Sequence, residues 1–209
     1  MTSPFLALPL EIHYSIYSHL CSTEPISYPW NFSPISSIDI RPPPLALQLT
    51  CRKLFAEIRT YFYGRATLRF VSPQPKPLYT GQHRDVIRLT KKVEIMLIWN
   101  ITSRQVEFGH MPWSTTMYLV RTVELLLEAG ENLALVTLCV RDACEREVDW
   151  EFKRKMLASL ADLPRTVRFA VGEVTAADEE ENSLKQHLQD HVNELNARST
   201  SAGIVPNEA

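Results

Sequence analysis

Three stretches in the second half of the chain decide the fold: Val93–Trp99 (VEIMLIW), Leu133–Val140 (LALVTLCV) and Val167–Val171 (VRFAV). Each has the length of a strand, and in the last Val167, Phe169 and Val171 alternate with other residues. Between the first two, Ser114–Ala129 carries Leu119, Val120, Val123, Leu126 and Leu127 on one side of a helix closed by Gly130. Between the second and third, Asp149 can cap a helix holding Phe152, Met156, Leu157 and Leu160, which Pro164 ends. Strand, helix, strand, helix, strand demands crossover connections. The expected class is therefore α+β / α/β, with a small, largely parallel sheet and crossover helices.

Outward from this core, Ala66–Val71 reads as a further short strand, followed by a Pro-rich connection through Pro73, Pro75 and Pro77. At the other end, about Ala176–Ala197, a C-terminal amphipathic helix shows a narrow stripe of Leu184, Leu188, Val192 and Leu195. That stripe is shorter than the three heptads of a convincing coiled coil, so the helix is expected to pack on its own domain. The α/β domain then spans residues 66–197, and the small and polar residues of 198–209 read as a disordered tail.

The N-terminal residues 1–65 read as a helical module. Pro9 suits the start of a helix because its missing N–H would be unpaired there anyway. Ile12, Ile16 and Leu20 follow at four-residue steps, with Leu10 and Tyr17 alongside, while Glu11, His13 and Ser15 are expected to face elsewhere. Residues 22–44 hold Pro25, Pro29, Pro34 and Pro42–Pro44 and keep neither helical nor strand periodicity, so they read as a loop. Its aromatics Tyr28, Trp30 and Phe32 suggest that it folds back on the core. Leu45–Tyr63 reads as the next helix, with Leu47, Leu54, Ile58 and Tyr61 on one stripe and Leu49, Phe55 and Phe62 widening it. A break near Glu57–Thr60 is an alternative, and Gly64 fits a left-handed stop.

With 209 residues, 45% of them hydrophobic and 22% charged, the chain can bury a sizeable core without staples. A net charge of −2 gives no electrostatic footprint for nucleic acid, which is not expected as a partner. No apolar run approaches the roughly 20 residues that span a bilayer, so no membrane association is expected. Met1–Leu8 lacks the features of a secretory signal, which points to a cytoplasmic and/or nuclear location. Cys21, Cys51, Cys139 and Cys144 stand at irregular spacings and read as free thiols, although their even number permits two disulfides.

The chain shows no Gly-rich phosphate loop, nucleophile elbow, His-Glu-x-x-His or paired Cys-x-x-Cys, so no catalytic residue, metal or cofactor is expected. His187 and His191 could offer two imidazoles to a metal beside Asp190 or Glu194, but no third and fourth ligand is suggested and a solvated face is the simpler reading. Cys139 and Cys144 read as a core thiol and a loop thiol. Trp99, Trp113 and Trp150 could line a ligand pocket, with core packing as the plainer alternative. Arg84, Arg88, Lys91 and Lys92 read as a solvated helix end that could also meet an acidic partner. If the chain were an enzyme, its site would be sought at the carboxyl ends of the parallel strands, near Trp99, Arg141, Asp142 and Glu173.

The run Leu8-Pro9-Leu10-Glu11-Ile12 with Ile16 and Leu20, then Leu49-Thr50-Cys51-Arg52 with Phe55, Glu57 and Tyr63, resembles the F-box-like domains of fungal proteins. The resemblance covers about Leu8–Phe70. It implies a small helical trap whose apolar face binds the Skp-type adaptor of a cullin-RING ubiquitin ligase, with the rest of the chain selecting an unknown target protein. Carried over by position, Leu8, Pro9, Leu10, Ile12, Ile16, Leu20, Leu49 and Cys51 would form the docking surface. Here the connection 22–44 is longer than in a typical F-box, and Tyr61, Phe62 and Tyr63 stand where a Trp is common. The alternative is that these faces pack on the sheet domain as part of the protein's own core.

Overall fold

A computed structural model describes residues 4–28, 33–71, 81–111, 113–145, 148–176 and 180–200. Among them are eight α-helices and one six-stranded mixed sheet. A 3₁₀ turn, Pro4–Ala7, precedes α1 (Leu10–Leu20), and two short strands, β1 (Ile26–Ser27) and β2 (Ser37–Ile38), follow. Then come α2 (Leu45–Gln48), α3 (Arg52–Arg65), β3 (Thr67–Val71), α4 (Gly81–Leu89), β4 (Lys92–Trp99), α5 (Ser103–Glu107) and α6 (Trp113–Ala129). The chain continues through β5 (Leu135–Asp142), α7 (Trp150–Met156), a 3₁₀ segment Ala158–Asp162, β6 (Arg168–Thr175) and α8 (Glu180–Thr200).

The strands lie in sequence order, β1 to β6, with the first two antiparallel joins giving way to three parallel ones. Each parallel crossover advances one strand in the same direction. Right-handed connections therefore put α4, α6 and α7 on a single face of the sheet. Burial follows that geometry: Val93, Ile95, Leu97 and Trp99 are enclosed with Leu68, Phe70, Val136, Leu138 and Val140. The intervening positions Arg69, Glu94, Met96 and Thr137 stay exposed or half-buried on the other face. Between Leu138 and Val140 the register slips, so that Gly172 and Glu173 both stand opposite Cys139. A methyl group on Gly172 would meet the Cys139 sulfur at 2.5 Å, which reserves that position for glycine.

β6 is an edge, and α8 shields it. Asn196 accepts from the Phe169 N–H at 2.8 Å and donates to the Phe169 carbonyl at 2.9 Å, occupying the groups that would otherwise invite another strand. Leu184, Leu188, Val192 and Leu195 meanwhile enter the main core.

Several sequence expectations are corrected. The loop 22–44 contributes β1 and β2, and Ile35 and Ile38 are buried; two-residue strands are too short to show alternation, and pairing of Ile38 with Leu68 fixes them instead. Trp30 and Phe32 lie outside the described residues, as do Pro73, Pro75, Pro77 and residues 201–209. The expected helix Leu45–Tyr63 is broken at Leu49–Cys51, earlier than Glu57–Thr60, because Cys51 is extended (φ −160°, ψ 161°). Gly64 sits inside α3, which ends where extended Ala66 leads directly into β3. At the C-terminal end, α8 runs to Thr200, so 198–200 are helical. Helix α4, of which the sequence showed only a basic end, carries Arg84 and Arg88; Arg84 pairs with Glu128 near the end of α6 and Arg88 with Glu131 just beyond it.

Candidate functional site

The N-terminal helices are held by a small cluster of their own, in which Tyr17, Leu54, Ile58 and Tyr61 are buried against Phe5, Leu6, Tyr14, Leu47 and Cys51. A polar clamp fixes its geometry. Glu57 on α3 accepts from the Tyr17 hydroxyl at 2.9 Å and from His13 Nδ1 at 2.6 Å. His13 Nε2 donates to the Phe5 carbonyl at 2.8 Å, and the Phe5 ring stacks on the imidazole at 4.6 Å between centroids. Burial, reinforced by the neighbouring Glu57 carboxylate, pushes the Tyr17 pKa upward, so its hydroxyl remains a donor.

This clamp draws His13, expected to face elsewhere, inward beside Tyr17. The aliphatic residues grouped with Tyr17 on the apolar face do not follow it into the cluster. Leu10 and Ile12 are each 46% exposed, Leu8 and Leu20 each 40%, and Leu49 on the α2–α3 junction 69%. Pro9 is exposed, and Ile16 and Cys51 are half-buried. Leu45 and Phe55 join the exposed set, although the resemblance did not single them out as docking residues. Of the ten large hydrophobic residues exposed among the described residues, eight fall from Leu8 to Phe55.

The carboxyl ends of the parallel strands look different. Strand order never reverses from β3 to β6, so the sheet lacks the switch-point crevice where open α/β folds bind ligands. Trp99 is enclosed in the core, and Arg141 and Glu173 are exposed. Asp142 and Lys153 form a buried ion pair at 2.7 Å, and Asp142 also accepts from the Cys144 N–H at 3.0 Å. Burial followed by the hydrogen bond to Asp142 pushes the Cys144 thiol up to about 12, and burial pushes Cys139 up to about 11, so neither is an activated nucleophile. The four cysteines are free. The side chain of Trp113 lies outside the described set.

His187 and His191 do not converge on a common metal position. His187 stacks on Trp150 at 5.4 Å and 10°, whereas His191 meets the same ring edge-on at 6.3 Å and 71°. His191 is 8% exposed, which corrects the expectation of a solvated face. Trp150 thus serves as a platform for the two imidazoles. Among the described residues no group of three or more His, Cys, Asp or Glu is arranged to hold a metal ion, and no helix is long and apolar enough to cross a membrane. A wide groove of about 620 Å³ runs beside α1, lined by Glu11, Tyr14, Tyr61, Arg65 and Lys91.

No family model, curated protein or solved structure matches this chain.

Proposed function

We propose that this chain is a non-catalytic protein-interaction protein, acting in the cytoplasm and/or nucleus as an F-box-like receptor. Its N-terminal helices dock a Skp-type adaptor, and the sheet domain holds a target protein for a cullin-RING ubiquitin ligase. The observation that carries this reading is the outward aliphatic face of α1 and of the α2–α3 junction. Leu10 and Ile12 remain 46% exposed although a core lies within reach, and the residues packed inward are His13 and Tyr17. An aliphatic face left in water by its own fold favours an external partner over a lid on the sheet.

The energetics suit a modest, anchor-driven interface. Complete burial of a Leu or Ile side chain is worth about 1.5–3 kcal/mol, and a few such anchors dominate a typical contact. The motif Leu8-Pro9-Leu10-Glu11-Ile12, the Thr50-Cys51-Arg52 helix start and the downstream Glu57 support the F-box-like assignment. In this arrangement Glu57 acts as the internal clamp that keeps the docking helices oriented.

The test is co-purification of the full chain with a Skp-type adaptor, beside a variant carrying Leu10→Asp and Ile12→Asp. Recovery with the wild type and loss with a folded variant supports the reading. Absence of the adaptor from the wild-type preparation removes the ubiquitin-ligase role.

A further inference from the structure

At the opposite end of the sheet from α1, the layer formed by α7, the following 3₁₀ segment and α8 holds two adjoining cavities. One, of about 290 Å³, is lined by Glu151, Arg154, Lys155, His191 and Arg198 together with small and apolar residues. The other, of about 390 Å³, shares Ala161, Leu195 and Arg198 with it and is lined further by Leu163, Pro164, Val167 and Arg165, with both polar and apolar surface facing it. Four cations against a single acid line these cavities, in a chain whose net charge is −2. Lys155 and Arg165 enter no ion pair among the described residues.

His191 supplies an independent sign. It is more than nine-tenths buried, lines the first cavity, and neither ring nitrogen has a hydrogen-bond partner. A buried imidazole without a partner on either nitrogen calls for an explanation such as a bound ion. The groups around it are Glu151 and Arg154 from α7, and His187, Glu194 and Arg198 from α8. Glu194 lies 3.7 Å from Nδ1 but is already engaged by Arg154 at 2.6 Å.

We propose that these cavities form a site for a phosphate-bearing organic anion. The phosphate group takes the lobe of Lys155, His191 and Arg198, and the carbon portion takes the adjoining lobe, against Leu163, Pro164 and Val167. Arginine and lysine donors match phosphate oxygens with charge-assisted hydrogen bonds, and a neutral imidazole N–H completes the set. Burial and the charges of Arg154 and Arg198 hold the His191 pKa below its usual value of 6.5, and an anion in the cavity reverses that field. The site is independent of the docking face on α1.

The experiment is an NMR titration of the histidine resonances of the full chain at constant ionic strength in chloride, in inorganic phosphate and in phenyl phosphate. His191 is assigned among the six histidines by loss of its signal in His191→Gln. The expected result is a saturable rise of the His191 midpoint in phosphate, with affinity reduced about fivefold in Lys155→Ala and in Arg198→Ala. Both substituted residues are exposed, so the fold is retained. Tighter binding of phenyl phosphate than of inorganic phosphate is expected and assigns the second lobe to the organic portion; equal binding overturns that assignment. A midpoint identical in phosphate and chloride, or a phosphate response unaltered by both substitutions, overturns it.

Discussion

His13 Nδ1 on α1 lies 2.6 Å from Oε1 of Glu57 on α3, and the same oxygen accepts from the Tyr17 hydroxyl at 2.9 Å. One carboxylate therefore joins two turns of α1 to a helix more than 40 residues away. The contact decides which face of α1 is inside. With His13 and Tyr17 drawn inward, Ile12 is turned to the surface, and Leu10, on the first turn of α1, is exposed there as well.

Replacing Glu57 with Leu leaves two buried donors without an acceptor. The expected cost is about 2–4 kcal/mol of unfolding free energy, since each stranded polar group forfeits roughly 1–3 kcal/mol. Leu10→Asp, at an exposed position, is expected to cost under about 0.5 kcal/mol. Urea denaturation of the two variants checks the contrast. Equal stabilities would show that the clamp does not hold the module together.

This contrast also explains what could be read from the residues. Strands β4 and β5, helix α6 and the stripe of α8 declare themselves because their partners are apolar and their periodicity is local. The inward face of α1 is set by Glu57, which no window around Leu10–Leu20 contains. By periodicity alone Ile12, Ile16 and Leu20 belong inside. Strands β1 and β2 escape for a related reason: two residues carry no pattern, and only pairing with β3 defines them. The Leu8–Ile12 motif was legible in the sequence, whereas the contact of His13 with Glu57 was not. The buried state of His191 was hidden as well, because it depends on Trp150 packing against α8 from α7.

The buried pair of Asp142 and Lys153 at 2.7 Å is predicted to tolerate removal of both charges better than removal of one. Lys153→Met alone strands a buried carboxylate and is expected to cost about 3–5 kcal/mol. The double variant Asp142→Asn with Lys153→Met recovers much of that, because the neutral side-chain amide keeps a carbonyl oxygen that can accept from the Cys144 N–H. Thermal or urea unfolding of the single and double variants measures the recovery.

Stability is predicted to fall on acidification through His191. Its folded pKa lies below the usual 6.5, so near and below that pH the unfolded chain binds a proton more readily than the folded one. The contribution of the neutral buried ring is complete above pH 6.5 and is lost as pH falls from there toward the folded pKa. In His191→Gln that share of the pH dependence disappears. Melting temperatures of the two proteins between about pH 5 and 8 isolate the effect, because the other five histidines are common to both.

The most direct measurement of the central claim is a calorimetric titration of a purified Skp-type adaptor into the full chain and into the Leu10→Asp, Ile12→Asp variant. The outward aliphatic face predicts saturable binding to the wild type and a loss of about 30-fold or more in the variant, with its circular dichroism and unfolding curve nearly unchanged. Wild-type and variant chains that bind equally, or a wild-type chain that does not bind, would contradict the assignment of this face to adaptor docking.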